Sequence, residues 1–164
     1  MSTLQVHTDS PDATKAVAGA LGGLAVAGDI FVLAGELGAG KTVFAQGFGA
    51  ALGVTGPIVS PTFTIARHYE GARVVMHHLD VYRLERLREA TDLGLAEMLD
   101  DGGVALIEWG DAITPVLPAD FLEIRFSFGV DDDDRRLDVQ PAGGAWQARM
   151  RATADALAPW TPSC

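Results

Sequence analysis

A lysine followed by a threonine, Lys41 and Thr42, ends a glycine-rich run in the first third of the chain. The run matches the pattern G-x-x-x-x-G-K-[ST] at every position. Glycines in such a run let successive backbone N–H groups point at an anion. The lysine then reaches the β- and γ-phosphates of a nucleotide, and the threonine hydroxyl ligates Mg²⁺. We therefore expect the whole run to bind a nucleoside triphosphate: Gly35, Glu36, Leu37, Gly38, Ala39, Gly40, Lys41 and Thr42.

The segments on both sides of this run fit that interpretation. Residues 29–34 are apolar and rich in β-formers, which predicts a buried strand, and residues 43–52 are predicted to form a helix. A phosphate-binding loop requires this order of strand, glycine-rich turn and helix. The alternative interpretation is a glycine turn that only caps a helix.

A second candidate is Glu108, which stands near the end of an apolar strand predicted over residues 104–109. In phosphate-loop enzymes a carboxylate at the tip of a buried strand beside the loop completes the Mg²⁺ site, usually through water. Glu108 is therefore the expected metal residue together with Thr42. Trp109 beside it either packs in the core or shapes the pocket.

Hydroxyl side chains are concentrated in residues 58–64, which follow the predicted helix and contain Thr62. Such a loop is where nucleotide hydrolases keep a sensor of the γ-phosphate, and a polar turn that enters a strand is the alternative. Residues 63–69 and 74–79 then predict a β-hairpin. Asp80, at the exit of its second strand, is expected to contact metal, water or phosphate, with a helix-capping role as the alternative.

Two histidines, His77 and His78, occupy the second strand of this hairpin. Neighbouring residues of a strand point to opposite faces, so the two rings cannot chelate one ion together. We therefore interpret both as structural.

The remaining segments predict the rest of an α/β chain. Ser10 or Asp12 is expected to cap the first helix, whose start lies where it could lean on a bound base. The predicted elements are strands over 4–7, 121–128 and 135–139, helices over 13–24, 85–100 and 146–158, and a solvated acidic turn over 131–134.

Length and composition bound the class of protein. The 164 residues predict a single domain with a frayed tail from about residue 159. The single cysteine and the polar opening of the chain, without the pattern of a signal peptide, predict a cytoplasmic protein. The net charge of −10 argues against extensive direct contact with nucleic-acid phosphates.

Four segments, in this order and at these spacings, resemble the motifs of the TsaE family, also called YjeE. These are small bacterial ATPases of tRNA threonylcarbamoyladenosine synthesis. The segments are GELGAGKT at 35–42, SPTFT at 60–64, HLDVYRL at 78–84 and LIEW at 106–109.

The resemblance implies a P-loop NTPase-like, three-layer α/β fold with a mixed, mostly parallel central sheet flanked by helices. It also implies ATP and Mg²⁺ as cofactors and association with TsaB and TsaD. That assembly modifies the adenosine 3′ to the anticodon in tRNAs that read ANN codons, and ATP hydrolysis supports its multiple turnovers. We expect hydrolysis by the chain alone to be slow, because no arginine finger is identifiable in its sequence. Because the chain is acidic, we expect the partners to hold most of the tRNA.

The resemblance also implies roles for residues at matching positions. Lys41 would bind phosphate, Glu108 would bind metal or activate water, and Asp80 and Thr62 would form the switch region. Trp109 would lie near the active site. The family often has a Gly-Arg pair, close to the nucleotide, before its late strand. Here acidic residues 131–134 replace that glycine, so the matching arginine is either Arg135 or Arg136.

Two other functions share the phosphate loop. A small-molecule or nucleoside kinase needs an acceptor pocket and usually a lid that carries arginines, and no such segment follows Glu108. A GTP-binding switch needs the guanine signature Asn-Lys-x-Asp, but the sequence contains no asparagine. Both stand as alternatives to the ATPase.

Overall fold

The structure is a computed structural model that describes residues 3–35, 40–58, 66–80, 100, 102–108 and 117–162. Its strands are β1 (Leu4–Thr8), β2 (Ile30–Gly35), β3 (Ala66–Tyr69), β4 (Met76–Asp80), β5 (Val104–Glu108), β6 (Phe121–Phe128) and β7 (Arg135–Ala142). Its α-helices are α1 (Pro11–Leu24), α2 (Lys41–Ala51) and α3 (Gly144–Leu157), and a 3-10 helix follows at Ala158–Trp160.

The strands form one mixed sheet in the order β1-β7-β6-β2-β5-β4-β3. The four strands β6, β2, β5 and β4 are mutually parallel, whereas β7 and β3 run antiparallel to their neighbours. Because β1 is in turn antiparallel to β7, it runs in the same direction as the central four. The predicted mixed, mostly parallel sheet with flanking helices is confirmed.

Helix α1 begins where the sequence predicts. The Ser10 hydroxyl accepts a hydrogen bond from the backbone N–H of Ala13 at 3.1 Å, and Pro11 occupies the first turn. A serine cap satisfies one of the N–H groups left open at a helix start, and proline lacks the N–H that would be left open there. Of the two candidate caps, the structure selects Ser10 rather than Asp12.

Alternate residues of the central strands point to the two faces of the sheet, and both faces are covered. Phe31 and Leu33 of β2 belong to the core cluster that includes residues of α1 and α2. The Phe31 ring meets Phe48 of α2 edge-on, with the ring centroids 4.7 Å apart. Ile30 and Val32 point to the opposite face and are also buried. Burial on both faces is typical of parallel strands in an α/β protein.

Helices α1 and α2 pack closely against each other on the face that carries Phe31. A Cβ atom built on Gly47 of α2 would collide with the backbone of Lys15 in α1. A glycine at this point therefore lets the two helix backbones approach more closely than any side chain would allow. This contact fixes α2, the helix that begins directly after the glycine-rich run.

Most other predicted elements lie where the sequence places them. Strands β3 and β4 pair antiparallel as the expected hairpin, and residues 131–134 form an exposed turn. The predicted helix 85–100 lies outside the described residues except at its last position. The tail expected to fray from about residue 159 instead continues α3 as a 3-10 helix, in which Trp160 packs against the core. Within the described part of the chain, no helix is both long and apolar enough to cross a membrane.

Candidate functional site

The glycine-rich run begins at Gly35, the last residue of β2. Its φ angle is +130°, and a Cβ atom here would lie 2.5 Å from the carbonyl oxygen of Phe126 in the neighbouring strand β6. Only glycine fits both the backbone conformation and the space. The sequence therefore needs glycine at this point for the chain to leave the sheet toward α2.

The run ends at Gly40, the N-cap residue of α2, which has a left-handed φ of +102°. Glycine adopts this conformation readily, and it provides no side chain to cap the helix. The Gly40 carbonyl accepts the first helical hydrogen bond from the N–H of Phe44 at 2.9 Å. The N–H groups of the first turn are thus available to an anion, toward which the helix dipole also points.

Lys41 is buried at the start of α2, with only 5% of its surface exposed. Its Nζ donates a hydrogen bond to the Gly35 carbonyl at 2.8 Å, which ties the two ends of the glycine-rich run together. A buried ammonium group is costly unless it is well bonded. The Lys41 Nζ atom is therefore held at the place where the motif predicts phosphate.

The two candidate carboxylates, Asp80 and Glu108, end neighbouring parallel strands. In the register of β4 and β5, Asp80 pairs directly with Glu108, and Leu33 of β2 pairs with Glu108 on the other side. Paired residues point to the same face of a sheet. Both acids therefore lie at the edge of the sheet at which β2 ends in Gly35, on the face that α2 covers.

Glu108 is 4% exposed and is hydrogen bonded to His78, a residue that the sequence led us to interpret only as structural. The His78 Nε2 atom lies 2.6 Å from Glu108 Oε2. His78 and Asp80 lie two residues apart in β4, so both point to the face that carries Glu108. His77 points to the other face and contacts His68, with the two Nδ1 atoms 2.6 Å apart.

A small cavity lies beside the start of α2. Its volume is about 120 Å³, and it joins the first turn of α1 to the first turn of α2 and to the start of β7. The sequence predicts that a bound base would lie near the start of α1, and this cavity lies there. The residues that line it are Ser10, Pro11, Thr14, Gly40, Val43, Asp133 and Arg135.

The structure distinguishes the two candidate arginines. Arg135 lines this cavity, and its Nη1 donates to the carbonyl oxygens of Asp132 and Asp134 at 2.6 and 2.8 Å. Arg136 does not line it, and forms an exposed ion pair with Asp138 at 3.2 Å. Because Arg135 and Arg136 are neighbours in β7, their side chains point to opposite faces of the sheet. The sequence alone does not indicate which of these faces meets the glycine-rich run. Arg135 is therefore the arginine that the fold brings to the glycine-rich run.

Several predicted site residues lie outside the described residues, and their roles stay predictions. They are the four central residues of the run together with Thr62 and Trp109: Glu36, Leu37, Gly38, Ala39, Thr62 and Trp109.

Thr42 occupies the second position of α2, next to Lys41. Among the described residues, no group of three or more acidic, histidine or cysteine side chains could hold a metal ion alone. A hydroxyl and a few carboxylates suit Mg²⁺ when the phosphates of a nucleotide supply further oxygen ligands. Thr42, Asp80 and Glu108 are oxygen donors of this kind.

Comparison with known families identifies one that covers most of the chain. The family model described as "Threonylcarbamoyl adenosine biosynthesis protein TsaE" matches residues 8–137. The match includes the whole glycine-rich run, both candidate carboxylates and both candidate arginines.

Curated proteins with similar sequences have the same description. This chain is 40% identical over 147 residues to the tRNA threonylcarbamoyladenosine biosynthesis protein TsaE of Bacillus subtilis, covering 90% of this chain and 91% of the relative. It is 42% identical to the protein of that name from Streptomyces coelicolor, over 79% of this chain and 87% of the relative. The protein of that name from a Nostoc species is 39% identical over 74% of this chain and 75% of the relative.

A solved structure has the same architecture. The crystal structure of Bacillus subtilis YdiB superimposes with a TM-score of 0.78 at 34% identity, and the match covers 96% of this chain and 95% of that one. The similarity therefore extends to the C-terminal strands and helix, where the sequence motifs are weak.

Proposed function

Because this chain belongs to the TsaE family of tRNA threonylcarbamoyladenosine biosynthesis proteins, we propose that it is a Mg²⁺-dependent ATPase that serves this tRNA modification. The observation that carries the proposal is the position of Lys41. The buried Nζ of Lys41, at the start of α2, donates a hydrogen bond to the carbonyl of Gly35 at the end of β2. Glu108 lies at the same edge of the sheet.

The phosphates of ATP would occupy the glycine-rich run. Residues 36–39 and the first turn of α2 offer backbone N–H groups, and Lys41 offers a positive charge that the fold already holds in place. On binding, a phosphate oxygen would replace or share the hydrogen bond that Lys41 Nζ donates to Gly35. This hydrogen bond already limits the conformations of the Lys41 side chain, so binding would cost little further side-chain entropy.

Mg²⁺, when bound, would neutralise charge on the β- and γ-phosphates. The Thr42 hydroxyl would ligate it, and Glu108 would hold it directly or through water. The remaining carboxylate, Asp80, would sense the γ-phosphate together with Thr62. The Thr42 hydroxyl and the carboxylates of Glu108 and Asp80 are oxygen donors of the kind that Mg²⁺ prefers.

Hydrolysis would depend on positioning and electrostatic stabilisation, with no covalent intermediate. The Glu108 carboxylate would orient a water molecule or accept its proton, and Lys41 would stabilise charge on the transferred phosphoryl group. The cavity beside Gly40 would hold part of the nucleoside, with Arg135 at its wall. Slow hydrolysis by the isolated chain is expected if a partner supplies a further charge, as arginine fingers do.

The partners are proposed to be TsaB and TsaD. In this proposal the assembly modifies the adenosine 3′ to the anticodon in tRNAs that read ANN codons, in the cytoplasm. ATP hydrolysis by this chain resets the assembly between turnovers. The family membership supports this role, because the curated relatives are described as biosynthesis proteins for this modification.

Two substitutions separate binding from hydrolysis. Lys41→Ala should weaken ATP binding by about 10- to 100-fold, because it removes a charge-assisted hydrogen bond worth about 1.5–3 kcal/mol. Glu108→Gln should leave ATP affinity nearly unchanged while lowering kcat by about 100-fold or more, since it removes the basic group. Titration of a fluorescent ATP analogue and release of inorganic phosphate measure the two effects.

Lys15→Ala is the matched control, because Lys15 is the other lysine of the chain and is exposed on α1. It should behave as the wild type in both assays. Phosphate transfer to an added acceptor would instead indicate a kinase, and tighter binding of GTP than of ATP would indicate a GTP switch. Unchanged turnover in Glu108→Gln would remove Glu108 from the catalytic machinery.

A further inference from the structure

His78 lies behind the proposed catalytic carboxylate, Glu108, and forms a buried pair with it. His78 is fully buried in β4, and Glu108 is 4% exposed at the end of β5. Their side chains meet at 2.6 Å, although the residues lie 30 positions apart in the sequence. A distance this short is typical of a hydrogen bond to a charged group.

The strand register explains why these two residues meet. Asp80 pairs directly with Glu108. His78 lies two residues before Asp80 on the same face of β4, so it is the diagonal neighbour of Glu108. Diagonal neighbours in a sheet are within reach when one side chain is long or aromatic. The histidine thus approaches Glu108 from within the sheet, behind the edge at which β2 ends in the glycine-rich run.

Simple chemistry assigns the donor and the acceptor in the hydrogen bond between His78 and Glu108. An ionised carboxylate only accepts hydrogen bonds, so the proton between the two groups belongs to His78 Nε2. The other ring nitrogen, Nδ1, is buried and has no hydrogen-bond partner among the described residues. Among the described residues, the Nε2–H group is therefore the ring's polar contact, and its partner is Oε2 of Glu108.

We propose that His78 is a positioning residue for hydrolysis: it fixes the Glu108 carboxylate through Oε2 and leaves Oε1 to act on water at the nucleotide. This inference rests on the proposed function. His78 itself touches no nucleotide, because its ring is buried in the sheet and reaches the site only through Glu108. A carboxylate held by one oxygen keeps a single orientation, and such supporting hydrogen bonds are what fix catalytic geometry.

Substitutions at His78 test the proposal by separating kcat from binding. His78→Leu removes the donor, whereas His78→Gln keeps an N–H donor at about the same distance from the backbone as Nε2. We expect His78→Leu to lower kcat by about 10- to 100-fold with less than a twofold change in affinity for a fluorescent ADP analogue. We expect His78→Gln to recover a large part of the lost kcat.

His77→Leu is the control, because it removes the neighbouring histidine of the same strand from the opposite face. It should leave kcat unchanged. The proposal is overturned if both His78 variants retain wild-type kcat, or if they lose nucleotide affinity in parallel with kcat. Such a parallel loss would indicate general structural damage.

A second readout does not depend on activity. In protein labelled with ¹⁵N-histidine, the ring resonances of His78 should show the proton on Nε2, and that proton should be shifted downfield by the carboxylate. Glu108→Leu should abolish the downfield shift. A proton on Nδ1 alone, or a spectrum unaffected by Glu108→Leu, would overturn the proposal.

The two readouts keep the inference distinct from the proposed function. If the wild-type protein and its partners hydrolyse no ATP, the proposed function fails and the role of His78 in hydrolysis fails with it. If the wild type hydrolyses ATP but the His78 variants match His77→Leu, only the inference fails.

Discussion

Lys41 and Gly35 show how the site is organised before any ligand arrives. The hydrogen bond from Lys41 Nζ to the Gly35 carbonyl joins the start of α2 to the end of β2. The left-handed φ of Gly40 then directs the chain into α2. The Lys41 Nζ atom and the helix start are therefore positioned by backbone geometry, so we expect the proposed nucleotide binding to require little rearrangement of either.

Arg135 and Arg136 offer a test of the nucleoside side of the site. Arg135→Ala should weaken ATP binding by about 2- to 30-fold, the range of one cation contact with a ring or phosphate. The reason is that the carbonyl groups of Asp132 and Asp134 hold its guanidinium at the wall of the cavity beside Gly40. Titration of ATP by isothermal calorimetry measures the effect.

Arg136→Ala is the matched control for this prediction. Its side chain pairs with Asp138 on the exposed part of β7, so its loss should leave ATP affinity unchanged. A larger loss of affinity in Arg136→Ala than in Arg135→Ala would show that the cavity is not the nucleoside site.

Sequence was sufficient for some site residues and insufficient for others. The positions of Lys41 and Glu108 were predictable because each lies next to a strand signal and a parallel sheet brings strand ends to one edge, whereas their roles stay predictions. The contact of His78 with Glu108 was not predictable, because it depends on the register of two strands far apart in the chain. The available signal was the two-residue spacing of His78 and Asp80, which places both on one face.

Among the elements, the contact between α1 and α2 fixes the helix that begins at the end of the glycine-rich run. Gly47→Ala should lower the free energy of unfolding by about 1–3 kcal/mol, because the added methyl group would force the helix backbones apart at Lys15. The same change should weaken ATP binding, since α2 carries Lys41 and Thr42. Denaturant unfolding and nucleotide titration measure the two effects.

Gly23→Ala is the control for this packing. Gly23 also lies in a helix, α1, but a Cβ atom there would meet nothing within 4 Å. Because alanine is the better helix former, this variant should be as stable as the wild type or more stable by up to about 1 kcal/mol. Equal stability losses in Gly47→Ala and Gly23→Ala would contradict the role of the close helix contact.

Local signals predicted the elements, but they could not predict the order of the strands. The alternation of apolar and polar residues in β6 and the serine cap of α1 are each visible within a few residues of sequence. The structure contains both. The position of β2 between β5 and β6 depends on pairings between distant segments. Nothing in the run of β2 itself indicates its two neighbours, because a central strand is apolar throughout.

The charge of the whole molecule bears on how it meets tRNA. The chain has 22 acidic residues against 12 lysines and arginines. We therefore expect the isolated protein to bind tRNA more weakly than about 10 μM at physiological salt. The complex of TsaB and TsaD should bind the same tRNA more tightly, as filter binding or fluorescence anisotropy would measure. Submicromolar binding of tRNA by the isolated chain would contradict this division of labour.

We propose that this chain uses ATP to sustain tRNA threonylcarbamoylation, and reconstitution of that reaction is the decisive experiment. Purified TsaB, TsaD, threonylcarbamoyl donor and tRNA would be combined with the wild-type chain, with Lys41→Ala, or with neither, and modified adenosine would be counted per complex. We expect many turnovers with the wild type and about one turnover with Lys41→Ala or without the chain. Equal numbers of turnovers in all three reactions would contradict it.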